Sequence, residues 1–254
     1  KTGLIALVIL PATLAGSATQ AGLSDLLDVF KGAGSTGESV PTTPATATAA
    51  NLTDGEMVSG LKEALNKGTR FAVENLGKDG GFLNNDRVRI PMPESLSWVE
   101  KTLRTLRQDR LADEFVASMN HAAEQAVPEA AAIFGDAIQT MTLDDAKGIL
   151  TGPDDSATQY FRRTTSDALT AKMRPIVEQA TSRTGVTSNY KSMTEKAGGL
   201  ASMFSKDTTD LDGYVTQKTL DGLFLMVAEE EKRIRENPLA RSSDLLKKVF
   251  GAFR

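Results

Sequence analysis

Residues 220–237, LDGLFLMVAEEEKRIREN, constrain the fold more than any other stretch. Leu220, Leu223, Phe224, Leu225, Met226, Val227 and Ala228 make the first half apolar on nearly every side. A helix that is apolar all round is stable only where other elements bury it. The length favours a helix over a strand, and Leu, Met, Ala, Glu, Lys and Arg are good helix formers. The second half, Glu229, Glu230, Glu231, Lys232, Arg233, Arg235 and Glu236, is charged on nearly every side. These features predict a central helix whose first half is packed and whose last two turns reach solvent. Pro238 stops it.

The rest of the chain supplies the elements to cover that helix. Thr53 or Asp54 is placed to cap a helix with Glu56 in its first turn. Met57, Leu61, Ala64, Leu65, Gly68, Phe71, Ala72 and Leu76 then fall on one face, and Gly77 ends it. Residues 78–93, KDGGFLNNDRVRIPMP, interrupt the helical pattern. Gly80-Gly81 and Asn84-Asn85 are turn residues. Val88, Ile90 and Met92 alternate with polar positions, but Pro91 and Pro93 keep this from being a central strand. Leu96, Val99, Leu103 and Leu106 form the next stripe. A break near Gln108-Asp109 precedes Leu111, Phe115, Met119, Ala122 and Ala126. Pro128 opens a segment holding Ala130, Ile133, Phe134, Ala137 and Ile138. Thr142 caps a short helix to Leu150, with Asp144 and Asp145 suited to its dipole. After Thr151-Gly152-Pro153, Asp154 and Asp155 start a long helix to about Arg183, with a kink expected at Pro175. Residues 186–203 are weaker, and 206–213 read as a polar loop. A last amphipathic helix, 242–253, packs Leu245, Leu246, Val249, Phe250 and Phe253 on one face. The expectation is an all-α fold: a single compact multi-helix bundle around a buried central helix, in residues 52–254.

The front of the chain reads differently. Lys1 and the apolar run 4–14, followed by small residues, form a secretory signal pattern with cleavage after Ala21, or alternatively after Ala18. The run is about half the ~20 apolar residues that span a bilayer. Leu14-Ala15-Gly16 resembles a lipoprotein signal, but Ser17 stands where the lipidated cysteine would be, so tethering would require a cysteine there. Residues 22–51 read as a short amphipathic segment, 23–30, and a flexible Gly/Ser/Thr/Pro/Ala linker. These features point to a periplasmic protein. The chain has no cysteine. Disulfides, thiolate metal sites and cysteine nucleophiles are thereby excluded. A formal net charge of −4 argues against nucleic acid, which needs a basic footprint.

From Gly81 onward the chain resembles the domain of unknown function 4197 family, found in Gram-negative bacteria. The resemblance rests on residues 81–93 (GFLNNDRVRIPMP), 146–163 (AKGILTGPDDSATQYFRR), 219–227 (TLDGLFLMV) and 228–238 (AEEEKRIRENP). It implies an exported, mostly helical protein and brings no activity or site residues with it.

The chemistry is sparse. His121, the single histidine, lies three residues before Glu124. That is half of a carboxylate-bridged di-metal motif, whose second pair the chain lacks, so no metal site and no cofactor are expected. Residues 208–219 are spaced like a calcium loop but have Thr208 and Thr219 at the first and twelfth positions, where acidic ligands are needed. Asp144, Asp145, Asp154 and Asp155 flank the Gly-Pro break. Capping explains them, and a metal-assisted hydrolase is the enzymatic alternative. Arg87 and Arg89 in the loop, and Tyr160, Arg162 and Arg163 on the long helix, form with Asp154 and Asp155 a candidate ligand site. An internal salt-bridge network is the structural alternative. Glu229, Glu230 and Glu231 read as a solvated helix face. The expectation is a non-enzymatic binding or scaffolding module of the envelope, with an envelope protein or small ligand as partner. A carrier of an apolar ligand between helices is a further alternative, and membrane contact is conceivable only through the last helix or a tether.

Overall fold

The computed structural model describes residues 52–183 and 210–253. The described elements are helices: α1 (Asp54–Leu76), α2 (Ser97–Thr105), α3 (Asp109–Ala126), α4 (Ala130–Thr140), α5 (Leu143–Thr151), α6 (Ser156–Arg183), α7 (Leu211–Glu236) and α8 (Asp244–Ala252). Short 3-10 turns at Glu94–Leu96, Val127–Glu129 and Pro238–Ala240 join some of them. No strand occurs among the described residues. The expected signal sequence, segment 23–30, linker 31–50 and segment 186–203 lie outside the described residues.

The central helix is α7, packed against α6, α1 and α3. Leu220, Leu223, Phe224 and Val227 are buried, but Leu225 is exposed and Met226 only partly covered. The helix therefore buries a broad stripe, not its whole circumference. The larger correction concerns its charged half. Glu230 and Glu231 are buried, as is Ile234. The apolar stripe of Leu220, Phe224 and Val227 runs on through Glu231 at helical spacing, so these carboxylates point into the bundle rather than into water.

Small residues set how closely the helices approach. A Cβ on Gly60 would lie 2.6 Å from Cγ2 of Val249, and one on Gly68 3.6 Å from Cβ of Glu230. With Ala64 between them, they form a shallow ridge on α1 against which α8 and α7 rest. Phe134, Phe161 and Phe224 meet where α4, α6 and α7 cross, with ring centroids 4.9 and 6.2 Å apart. Tilted and edge-on arrangements like these suit the ring quadrupoles.

Two expected caps form with their full reciprocal geometry. Thr53 accepts from the Glu56 amide while Glu56 accepts from the Thr53 amide, and Thr142 and Asp145 do the same on α5. Two stripe residues depart from expectation. Leu106 is 54% exposed, because α2 ends at Thr105 and the chain turns through Arg107 at φ 55°. Phe71 flanks the buried face of α1, and the Arg233 guanidinium lies 5.4 Å above its ring. Helix α6 continues through Pro175. Residues 211–219 are helical, and Asp210 accepts from the Gly213 amide as the cap of α7. Residues 211–219 of the segment spaced like a calcium loop are thus the first turns of α7, and a helix cannot wrap its side chains around a cation as that loop must. In α8, Leu246, Val249 and Phe250 are buried, Leu245 is partly covered and Phe253 stays exposed.

The cap of α1 also joins α8. The Lys248 ammonium donates to Glu56 at 2.7 Å. That bond, with the Thr53 amide and hydroxyl, holds the Glu56 carboxyl at about 2 against an ordinary 4.5. A depressed folded pKa stabilises above the unfolded value and is lost as pH falls. The contribution of Glu56 should therefore be complete above 4.5 and fade toward pH 2. The Tm difference between wild type and Glu56→Gln should be positive at neutral pH, shrink on acidification and narrow in high salt. A pH-independent difference would show that the carboxylate charge is not what matters.

The loop between α1 and α2 is part of the core. Phe82 and Ile90 are fully buried, and Val88 and Met92 nearly so. Phe82 presses on Gly222 of α7, where a Cβ would come within 2.8 Å of Cε1. A Cβ on Gly81 would lie 2.5 Å from the carbonyl oxygens of Asn75 and Leu76, so only glycine fits there.

Candidate functional site

A buried loop must satisfy its backbone without a sheet or helix of its own. Two side chains of α3, one turn apart, do this. Asn120 accepts from the Ile90 amide at 2.8 Å and donates to the Ile90 carbonyl at 2.9 Å, imitating a neighbouring strand. Its amide also donates to the Val116 carbonyl. Glu124 accepts from the Phe82 and Leu83 amides at 2.9 and 3.0 Å through one oxygen. Its other oxygen meets Nδ1 of His121 at 2.8 Å. Val116, Asn120, Ala123 and Val127 are all buried. A polar residue interrupting such a helical stripe is a sequence signal that would have marked Asn120.

The three consecutive glutamates of α7, Glu229, Glu230 and Glu231, divide the work of fixing neighbours. Glu229 pairs with Arg87 of the loop. Glu230 accepts from Arg233. Glu231 accepts from the amides of Ala157 and Thr158, each at 2.9 Å, and from the Thr158 hydroxyl. It thereby caps α6 from another helix and compensates its dipole. Arg235 closes this arrangement, donating to Glu231 and to the Ile149 carbonyl at 2.8 Å each.

The candidate ligand residues do not share one site. Arg87 is committed to Glu229. The Arg89 side chain is exposed and has no partner among the described residues. Arg162 lies over the Phe224 ring, 4.6 Å from its centroid. Asp155, Tyr160 and Arg163 do come together, with Asp144, Asp145, Ser156 and Gln159, around an open cleft of about 500 Å³ between α5 and the start of α6. Asp154 instead lines a neighbouring depression of about 340 Å³ with Arg235, Glu236, Phe250 and Phe253. Consecutive residues at the turn before α6 thus face two different clefts.

Within the main cleft, Arg163 stands 3.7 Å from Asp145 and 5.7 Å from the Tyr160 ring. Hydrogen bonds from the Thr142 hydroxyl and amide hold the Asp145 carboxyl below its ordinary range, helped by Arg163. Burial pushes the Tyr160 phenol up, and its hydroxyl donates to the Ala137 carbonyl. Asp145 is thus shifted toward its anion, while the Tyr160 hydroxyl is engaged as a donor.

Asp145 accepts from the Thr142 hydroxyl and amide through Oδ2, while its Oδ1 faces Arg163. Among the described residues, the group of three side chains close enough to share a cation is Asp79, His121 and Glu124, not the aspartates at the α5–α6 turn. For an apolar cargo, the seam beside α7 lined by Leu61, Leu65, Phe161, Val227 and Phe250 has about 20 Å³ of free space, roughly room for one water molecule.

No curated protein and no solved structure matches the chain. A family model described as "Protein of unknown function (DUF4197)" matches residues 51–251, which take in the loop, the cleft and Glu229, Glu230 and Glu231 of α7. The chain belongs to the DUF4197 family of proteins of unknown function.

Proposed function

We propose that this domain is a non-enzymatic binding module of the cell envelope, exported to the periplasm, whose cleft between α5 and α6 receives a positively charged group. The observation that carries this reading is the charge of the cleft: Asp144, Asp145 and Asp155 against Arg163 alone. A concave site of one prevailing sign attracts ligands of the other and raises their rate of encounter. The buried carboxylates Glu230 and Glu231 support it from the other side, because each already accepts hydrogen bonds within the fold. Export rests on the apolar start of the chain followed by small residues. No helix among the described residues is long and apolar enough to cross a membrane.

The test is fluorescence anisotropy with a dye-labelled tetralysine peptide. Saturable binding at low salt should weaken at high salt. Asp144→Asn combined with Asp155→Asn should weaken it about tenfold, since each exposed charge pair contributes up to about 1 kcal/mol. Both positions are exposed, so the variant should melt like wild type. Equal binding by the variant would move the peptide off this cleft, and the absence of saturable binding would remove the cationic-ligand reading.

A further inference from the structure

Asp79, His121 and Glu124 converge where the turn after α1 meets α3. The His121 Nδ1 lies 2.8 Å from a Glu124 oxygen and 3.6 Å from an Asp79 oxygen. All three donor atoms lie within 4.8 Å of one another. Metal bonds of about 2.0–2.2 Å place tetrahedral ligand atoms roughly 3.4 Å apart. The observed separations bracket that spacing, so small side-chain rotations would seat a cation.

The surroundings have the form of a built site. Glu124 is buried, and its inner oxygen is held by the Phe82 and Leu83 amides. Those bonds fix the carboxylate with its other oxygen toward His121. Fixing a ligand through its second atom is what outer-shell hydrogen bonds do in metal sites. The Asp79 side chain is 96% exposed and the imidazole 37%, so one side of the cluster is open for water ligands. One imidazole and two carboxylates suit borderline divalent first-row ions rather than soft ones.

We propose that Asp79, His121 and Glu124 bind a divalent transition-metal cation of the zinc class, which clamps the turn after α1 to α3. The ion replaces the His121–Glu124 contact with two metal bonds and adds Asp79 as a third ligand. It neutralises the buried Glu124 carboxylate and ties down the start of the loop that carries Phe82 and Ile90 into the core. This site is separate from the α5–α6 cleft and stands or falls independently of it.

Zinc itself is the probe. The chelator-stripped protein is loaded with Zn²⁺, desalted and assayed for metal. One Zn²⁺ per chain should remain, and the melting temperature should rise, because a ligand bound only by the folded state stabilises it. His121→Ala and Asp79→Asn should each lose more than about a hundredfold in affinity, beyond the roughly 10–100-fold that the loss of an outer-shell partner alone brings. Both positions retain solvent access, so the variants are expected to fold. His121 is the single histidine, so its imidazole nitrogen signals in NMR are unambiguous, and Nδ1 should shift on loading. No retained zinc, or equal retention by His121→Ala, overturns the proposal. Retention that depends on His121 but leaves Asp79→Asn unaffected overturns the three-ligand clamp.

Discussion

Glu231→Ala should destabilise the domain by about 3–5 kcal/mol, the usual cost of breaking one side of a buried charged arrangement. The carboxylate is 9% exposed as a residue and serves three donors at the start of α6 together with Arg235. Removing it leaves the buried amides of Ala157 and Thr158 without their carboxylate acceptor. It also leaves the Arg235 guanidinium, whose side chain is only 12% exposed, with a carbonyl but no anion. Against a typical total of about 5–15 kcal/mol, the loss is roughly a fifth or more. Urea unfolding at neutral pH measures it. Glu231→Gln keeps one acceptor oxygen and should fall between the two. A loss under about 1 kcal/mol for the alanine variant, the level of an exposed ion pair, would show that Glu231 is solvated after all.

Asn120→Ala should cost about 2–4 kcal/mol, because it strands both the amide and the carbonyl of Ile90, at roughly 1–3 kcal/mol for each unsatisfied buried group. Ile90 is fully buried, so solvent cannot take over these bonds while the loop stays in place. The loop is therefore expected to open before the helices do. Hydrogen exchange distinguishes the two events. In wild type the amide of Ile90 should be protected with the core. In Asn120→Ala it should exchange much faster, followed by Phe82 and Leu83, while the α6 and α7 amides keep their relative order. Such local opening is the expected behaviour of a segment held by few bonds. Uniform acceleration across the domain would mean that the loop and the helices unfold together.

These two residues mark the limit of what local reading reaches. The cap of α1 at Thr53 and Glu56 is legible because its partners are three residues apart. The cap of α6 is not, because its acceptor lies more than seventy positions away, on α7. The run of Glu229, Glu230 and Glu231 looks like a solvated face by composition. In place, each glutamate meets a different partner: Arg87, Arg233 and the start of α6. The helical spacing from Phe224 through Val227 to Glu231 carried a hint of burial, but spacing alone does not say what waits on that face. The candidate ligand residues divide in the same way. Asp155, Tyr160 and Arg163 are close in sequence on one helix start and share a cleft. Arg87 belongs to another neighbourhood, since a loop anchored at Asn120 and Glu124 directs it to Glu229.

What the sequence determined by itself is the helical character, most helix limits and the apolar stripes. These follow from interactions within a few residues: caps, prolines, glycines and a repeat of about 3.6. Only the tertiary structure decided which polar groups are buried and with whom. A carboxylate can be buried when donors from other elements meet it at hydrogen-bonding distance. For Glu124 and Glu231 those donors are backbone amides, which every residue but proline carries and which leave no trace in the order of side chains.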